Sequence, residues 1–277
     1  MSNGGIIGPV QDPSFGSSTI TTFTESGTYS NPSSFSSADI LVVGGGGSAK
    51  SPEGSPGGGG GGGYRYFPSQ PITAGDPYAV TVGSAGAADS AGGASQFGGP
   101  GNPAPQRLAA SGGGKAGGRH QNGNPGGSGG GAGDGATPGP VRSGGSGNAG
   151  GYSPPEGNDG GNGTPSPNYE PAGGGGGAGG TGGHGGPPGS GTPNTITGSD
   201  LTYSMGGSGE GTPSPYPPVA GGGGGAGANT NNDSSDPDAD KPYPGVVIVK
   251  TGAFSNASGV WTMDDVYEGR LAGTWGS

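Results

Sequence analysis

Residues 39–47 read Asp39-Ile40-Leu41-Val42-Val43-Gly44-Gly45-Gly46-Gly47, an apolar β-branched run that passes without a break into consecutive glycines. The first half has strand length and strand composition, and its near-continuous apolarity suits a strand buried on both faces. The second half suits neither helix nor strand, because each glycine loses the most backbone freedom on ordering. A run of the first kind recurs near the far end, at Val246-Val247-Ile248-Val249. Further strand candidates are Thr19–Thr24 and Tyr78–Val82, with shorter ones at Tyr64–Phe67 and Ala94–Phe97, all bounded by Gly, Pro or Ser. Between the early strands and the last one, residues 98–232 carry only ten large apolar side chains. A strand early in the chain therefore has to pair with one near its end, around a long glycine-rich insertion.

Composition sets the limits of that insertion. The chain has 78 Gly and 29 Pro, together 107 of 277 residues, and 25% hydrophobic residues, well below the usual globular share. Such a composition defaults to disorder unless something other than apolar burial fixes the backbone. The glycine blocks Gly57–Gly63, Gly112–Gly114, Gly129–Gly131, Gly173–Gly177 and Gly221–Gly225 offer a route. A polyproline-II-like path has three residues per turn and no internal hydrogen bonds, so its N–H and C=O groups point sideways. Lacking Cβ atoms, several such segments can approach closely and satisfy one another's backbones, as in polyglycine II. Collagen is excluded, since glycine does not fall strictly at every third position. The Pro/Asn/Ser stretches Tyr152–Pro171, Pro187–Met205 and Thr212–Pro218 carry turn chemistry and read as reversals between antiparallel rods.

The expected fold is mostly β and irregular. A small β-sandwich uses residues 19–97 and 244–252, and a bundle of polyglycine-II/polyproline-II-type helices occupies 98–243. A short α-helix lies in the tail 253–277, and residues 1–18 form an N-terminal attachment segment. In the tail, Thr262 suits the N-cap, Trp261 and Val266 suit a hydrophobic staple, and Gly273 follows the last turn. Met263, Val266, Tyr267 and Leu271 would share one face, and a helix this short is marginal unless it docks.

Chemistry is sparse. The net charge of −10 and the absence of any Lys/Arg run argue against nucleic-acid binding. The chain contains no cysteine, no apolar run long enough to span a bilayer, and no secretory leader pattern at its start. Gly126-Gly127-Ser128-Gly129-Gly130 fits a nucleophile elbow in letters only, with neither a strand before it nor a helix after it. Gly114-Lys115-Ala116 lacks the Ser/Thr that a phosphate-loop lysine needs beside it. His120 and His184 lack a third donor that would make a metal site. Asp233, Asp236, Asp238 and Asp240 alternate like half a calcium loop, but Val247 stands where its bidentate Glu belongs. No enzyme, cofactor or metal is expected.

The order of motifs carries more than their composition. Phe23–Tyr29, Asp39–Val43 entering Gly44–Gly47, and Gly57–Gly63 leading through Tyr64-Arg65 to Tyr78–Gly83 come first. Ala94–Gly98 follows, and Pro244–Val249 closes the series. This order resembles the glycine-rich domain of bacteriophage tail-fibre and tail-tip proteins, and is similar to the polyglycine-II receptor-binding adhesins of T-even-like phages. The resemblance implies a virion structural protein, made in the host cytoplasm and released by lysis. Its partners would be other tail proteins and a host-surface protein or glycan, and assembly with its own copies is compatible with it. The Trp-ending tail Ser258–Trp275 departs from those adhesins and resembles tails of other phage structural proteins.

Rigidly held turns rich in Tyr, Asn and Gly suit surface recognition at low entropic cost. The receptor-contact candidates are Tyr152, Asn158, Tyr169, Asn194, Tyr203, Met205 and Tyr216. The attachment candidates are Ile6, Ile7, Trp261, Val266, Tyr267, Leu271 and Trp275, apolar groups outside the sandwich pattern. Two other functions fit the same fold. One is an architectural spacer without receptor contacts. The other is an ice-binding surface, which Thr137, Thr164, Thr181 and Thr192 disfavour because they share no period.

Overall fold

The structure, a computed structural model, describes residues 18–31, 35–49, 56–99, 107–134, 140–163, 172–209 and 241–252. The tail helix expected within 253–277, all of the attachment segment 1–18 but its last residue, and the acidic cluster at 233–240 lie outside these residues.

Ten strands and no α-helix occur among the described residues: β1 (Thr19–Phe23), β2 (Gly27–Ser30), β3 (Ser37–Val43), β4 (Tyr64–Pro71), β5 (Pro77–Thr81), β6 (Ser95–Phe97), β7 (Leu108–Ala110), β8 (Thr192–Asn194), β9 (Leu201–Tyr203) and β10 (Val246–Thr251). They make two antiparallel four-stranded sheets, ordered β1-β10-β3-β4 and β2-β5-β6-β7, and a hairpin, β8-β9. The closing strand is central. β10 pairs with β3 in the register Val43↔Val246 to Asp39↔Lys250, and with β1 on its other side. The ends of the glycine-rich sequence thus meet in one sheet.

Both faces of β3 and β10 are covered, as their apolar runs require. Ile40, Val42, Val247 and Val249 point between the two sheets and meet Tyr29, Tyr78, Val80 and Phe97. Leu41, Val43, Val246 and Ile248 point the other way and meet Ile196 and Tyr203, so the hairpin lids the outer face of the first sheet. The Pro187–Met205 stretch, expected to be only a reversal, therefore contributes a hairpin and part of a core. Its turn is tied by Asn194, whose Oδ1 accepts the Ile196 N–H at 2.7 Å, and by Gly198 at φ 85°.

The strands run directly into the glycine segments. β3 continues into Gly44, Gly63 leads into β4, β7 continues into Ser111, and β9 continues into Ser204. Within the array one segment contacts several others at once. Gly57, Gly60 and Gly63 donate to the carbonyls of Gly117, Gly114 and Ser111, while Gly58 and Gly61 donate to those of Gly173 and Gly176. The carbonyls of Gly60 and Gly63 accept from Gly47 and Gly44, those of Gly58 and Gly61 from Gly131 and Ser128, and that of Gly59 from Gly207. The Gly62 carbonyl accepts the Ser204 hydroxyl. Each of these partnerships steps by three residues on both segments, and together they reach five neighbours. A β-ladder, by contrast, alternates by two and reaches two.

Two expectations need correction. The neighbours are not uniformly antiparallel, because 173–176 runs in the same direction as 58–61. The sandwich and the array also interleave: β7 extends the second sheet beyond residue 97, and Gly44–Ala49 and 56–63 belong to the array although they precede it in sequence.

Candidate functional site

Side chains other than glycine punctuate the array where its backbone groups need a partner. Asn148, in the left-handed region at φ 53°, organises the loop 148–156. Its Oδ1 accepts the N–H groups of Tyr152 and Glu156 at 3.0 and 3.3 Å, and its amide donates to the Tyr152 carbonyl at 3.0 Å. This holds the Tyr152 ring 3.7 Å from the Arg65 guanidinium, whose other neighbour is Phe67 at 4.6 Å. Arg65 also donates to the Ala109 carbonyl at 2.9 Å, so it joins β4, β7 and the loop.

Glu156 is 1% exposed. Its carboxylate accepts N–H groups from Ser111 at 2.8 Å and Gly150 at 3.0 Å, and its carbonyl accepts from Tyr64 at 2.8 Å. A buried carboxylate needs such donors to offset its lost hydration. Asp134, also buried, lies 3.5 Å from Arg119 and accepts the His120 N–H at 3.2 Å. His184 lies exposed at a turn, and no group of three or more His, Cys, Asp or Glu among the described residues could hold a metal ion. Ser128 is buried inside the array, its N–H on Gly61 and its carbonyl on Gly114.

The described receptor-contact candidates are mostly occupied. Tyr203 is 2% exposed, belongs to the core beneath the hairpin and offers no surface to a partner, a correction to the role expected of it. Burial pushes its phenol above the ordinary tyrosine value, with the Thr197 side chain offsetting part of the rise. Burial raises Tyr64 too, opposed by the Asn194 amide, which donates to the Tyr64 hydroxyl at 2.7 Å. Asn158 spends its amide on the Gly177 and Ala178 carbonyls, at 2.8 and 3.0 Å. Met205 is half-buried against Gly191. Tyr152 keeps part of its surface open. Tyr169, Tyr216 and all seven attachment candidates lie outside the described residues.

Sequence reading missed Arg65 and Glu156 as organising residues. For Arg65 the signal was its position, two residues after a glycine block and between two aromatic residues, Tyr64 and Tyr66. A lone Glu in a Pro/Gly stretch carries no such signal.

The sequence profile of the glycine-rich domain family matches residues 21–252, from within β1 to the first residue after β10. The chain belongs to the glycine-rich domain family. Its matched span covers both sheets, the hairpin and the array, so the family unit is the sandwich together with its insertion. No curated protein matches the chain.

Proposed function

We infer that this protein is a non-enzymatic structural component of a bacteriophage tail, a tail-fibre or tail-tip adhesin. In this reading the glycine segments form a polyglycine-II-type frame and the turns between them face the host. The observation that carries it is the three-residue step of the hydrogen bonds around 57–63, which gives a backbone-locked scaffold growing out of a β-sandwich. A scaffold locked through its own backbone can hold turns rigidly, and rigid turns bind at lower entropic cost. The motif order across residues 19–250 supports the tail setting.

The contact surface in this reading draws on the stretches that contain Tyr169 and Tyr216, together with Tyr152. An antibody raised against the purified chain should label the tail or its fibres in electron micrographs of the parent phage. Labelling confined to the capsid, or none, would refute the placement. The double variant Tyr169→Ser/Tyr216→Ser, folded as judged by circular dichroism, should bind host cells more weakly than the parent.

One observation favours the spacer reading. Tyr203, Asn194 and Asn158 all serve the fold, so much of the chemistry that looked like recognition is internal. Unchanged host binding by the double variant would support the spacer.

A further inference from the structure

Two Asn-Gly dipeptides flank one strip of the array and are used in the same way. Asn122 Oδ1 accepts the Ser143 N–H at 3.0 Å, and the next residue, Gly123, donates its N–H to the Ser143 carbonyl at 2.9 Å. Forty residues on, Asn162 Oδ1 accepts the Gly144 N–H at 2.9 Å, and Gly163 donates to the Arg142 carbonyl at 3.0 Å. Four successive backbone groups of the strip, from the Arg142 carbonyl to the Gly144 N–H, are thus engaged by the two dipeptides. Ser143 is exposed and its neighbours are half-buried, so the strip lies at the outside of the array.

Asn-Gly is the sequence in which the following nitrogen attacks the asparagine side chain most readily, because glycine has no Cβ to hinder it. The glycine nitrogen bonds to Cγ of the asparagine, loses its proton, and ammonia leaves, closing a succinimide. Water then opens the ring to aspartate or to isoaspartate, whose backbone is one carbon longer. In the fold both reacting groups are engaged by the strip. The glycine N–H points at a strip carbonyl, and the asparagine side-chain oxygen is fixed on a strip N–H.

We propose that Asn122-Gly123 and Asn162-Gly163 are water-driven deamidation sites gated jointly by release of the Arg142–Gly144 strip. While the strip is seated, neither ring can close. When it lifts, both become competent at once, and the product cannot reseat: isoaspartate adds a backbone atom to a register that steps by three, and either product adds negative charge to a chain already at −10. Strip opening is thereby written irreversibly into the covalent chain. This inference does not depend on the tail reading.

The test incubates purified full-length protein in mildly alkaline buffer, native, in denaturant below the unfolding transition, and fully unfolded. Peptide mass mapping follows each site. Both sites should react about tenfold or more slowly in the native chain than in the unfolded one, as local opening equilibria of ordinary size demand. Below the transition the two rates should rise in step. Equal native and unfolded rates would overturn the gate, and so would acceleration of one site alone. Ser143→Pro removes the N–H that Asn122 accepts and should accelerate both sites in the folded protein. Unchanged rates in that folded variant would also overturn the proposal. Should it fail to fold, the parent's denaturant series decides by itself.

Discussion

At the residue scale the array rests on absent side chains. An ideal Cβ on Gly175 would overlap the Gly59 carbonyl oxygen, while Gly175 itself donates to Gly207 and accepts from Gly189. Overpacking costs about 1–3 kcal/mol and each displaced backbone hydrogen bond about 1 kcal/mol more. Gly175→Val should therefore destabilise by roughly 3 kcal/mol or more by urea unfolding, and Gly175→Ala should already be damaging. Gly252, with open space around its position, is the control: Gly252→Ala should stay within about 0.5 kcal/mol of the parent. If both glycines tolerate alanine equally, the segments do not pack through their backbones. The buried tyrosines set a second residue-scale expectation. Tyr29, Tyr64 and Tyr203 are raised above 10.0, chiefly by burial, so the unfolded chain loses these protons first as pH rises. Their contribution to stability is fully present below the ordinary tyrosine pKa and is lost as pH climbs through the folded values. The urea midpoint should hold at neutral and mildly alkaline pH and fall steeply above about pH 10. Tyr203→Phe should lessen that fall, and an identical alkaline loss in the variant would mean Tyr203 does not contribute to it.

At the scale of elements, Glu156 links the loop 148–156 to both β4 and the segment after β7. Glu156→Gln keeps the shape but places an amide N–H₂ opposite one of the two donors now satisfied by the carboxylate. Leaving a buried donor unpaired costs about 1–3 kcal/mol, more for charged groups. We expect a loss in that range together with faster hydrogen exchange at Ser111 and Gly150. Loss of stability with both amides still protected would place the role of Glu156 elsewhere. None of this was legible in the sequence, because the two donors come from positions 45 residues back and six residues back, brought together only by the array. The strands were legible in proportion to their apolar content. β3 and β10 announce themselves because each contains four consecutive apolar residues, Ile40–Val43 and Val246–Val249, buried on both faces. β2 (GTYS), β7 (LAA) and β8 (TPN) do not, because three or four residues with at most one large side chain among them carry no period and their place is fixed by the neighbours they pair with. Tyr203 was misplaced for a related reason. Its surroundings in sequence are turn-like, and only the hairpin's docking on Leu41 and Ile248 shows that it is core.

At the scale of the whole molecule, two kinds of interior are joined end to end through shared strands. The apolar interior lies between and above the sheets, and the other interior is backbone hydrogen bonds between glycine segments. The sequence conveyed this division because apolar residues cluster near its ends while glycine fills the middle. It could not convey which glycine segment neighbours which, since identical residues carry no addressing information and the strands at each segment's end supply it. The division has a calorimetric consequence. Exposing apolar surface on unfolding raises the heat capacity by about 0.45 cal/mol/K per Å², whereas exposing polar surface lowers it by about 0.26. An ordinary domain nets about 12–15 cal/mol/K per residue because its interior is mostly apolar. Here 25% of residues are hydrophobic, and much of what unfolding exposes is peptide backbone. The heat capacity change per residue should therefore fall clearly below about 12 cal/mol/K, giving a flatter stability curve than a conventional domain of this length. Because strands and glycine segments are continuous at β3, β4, β7 and β9, the two interiors should also melt together. Scanning calorimetry should show one transition, coincident with loss of glycine amide protection. An ordinary heat capacity change would mean that apolar burial, not the backbone network, dominates the fold, and two separated transitions would mean that the array stands without its sandwich.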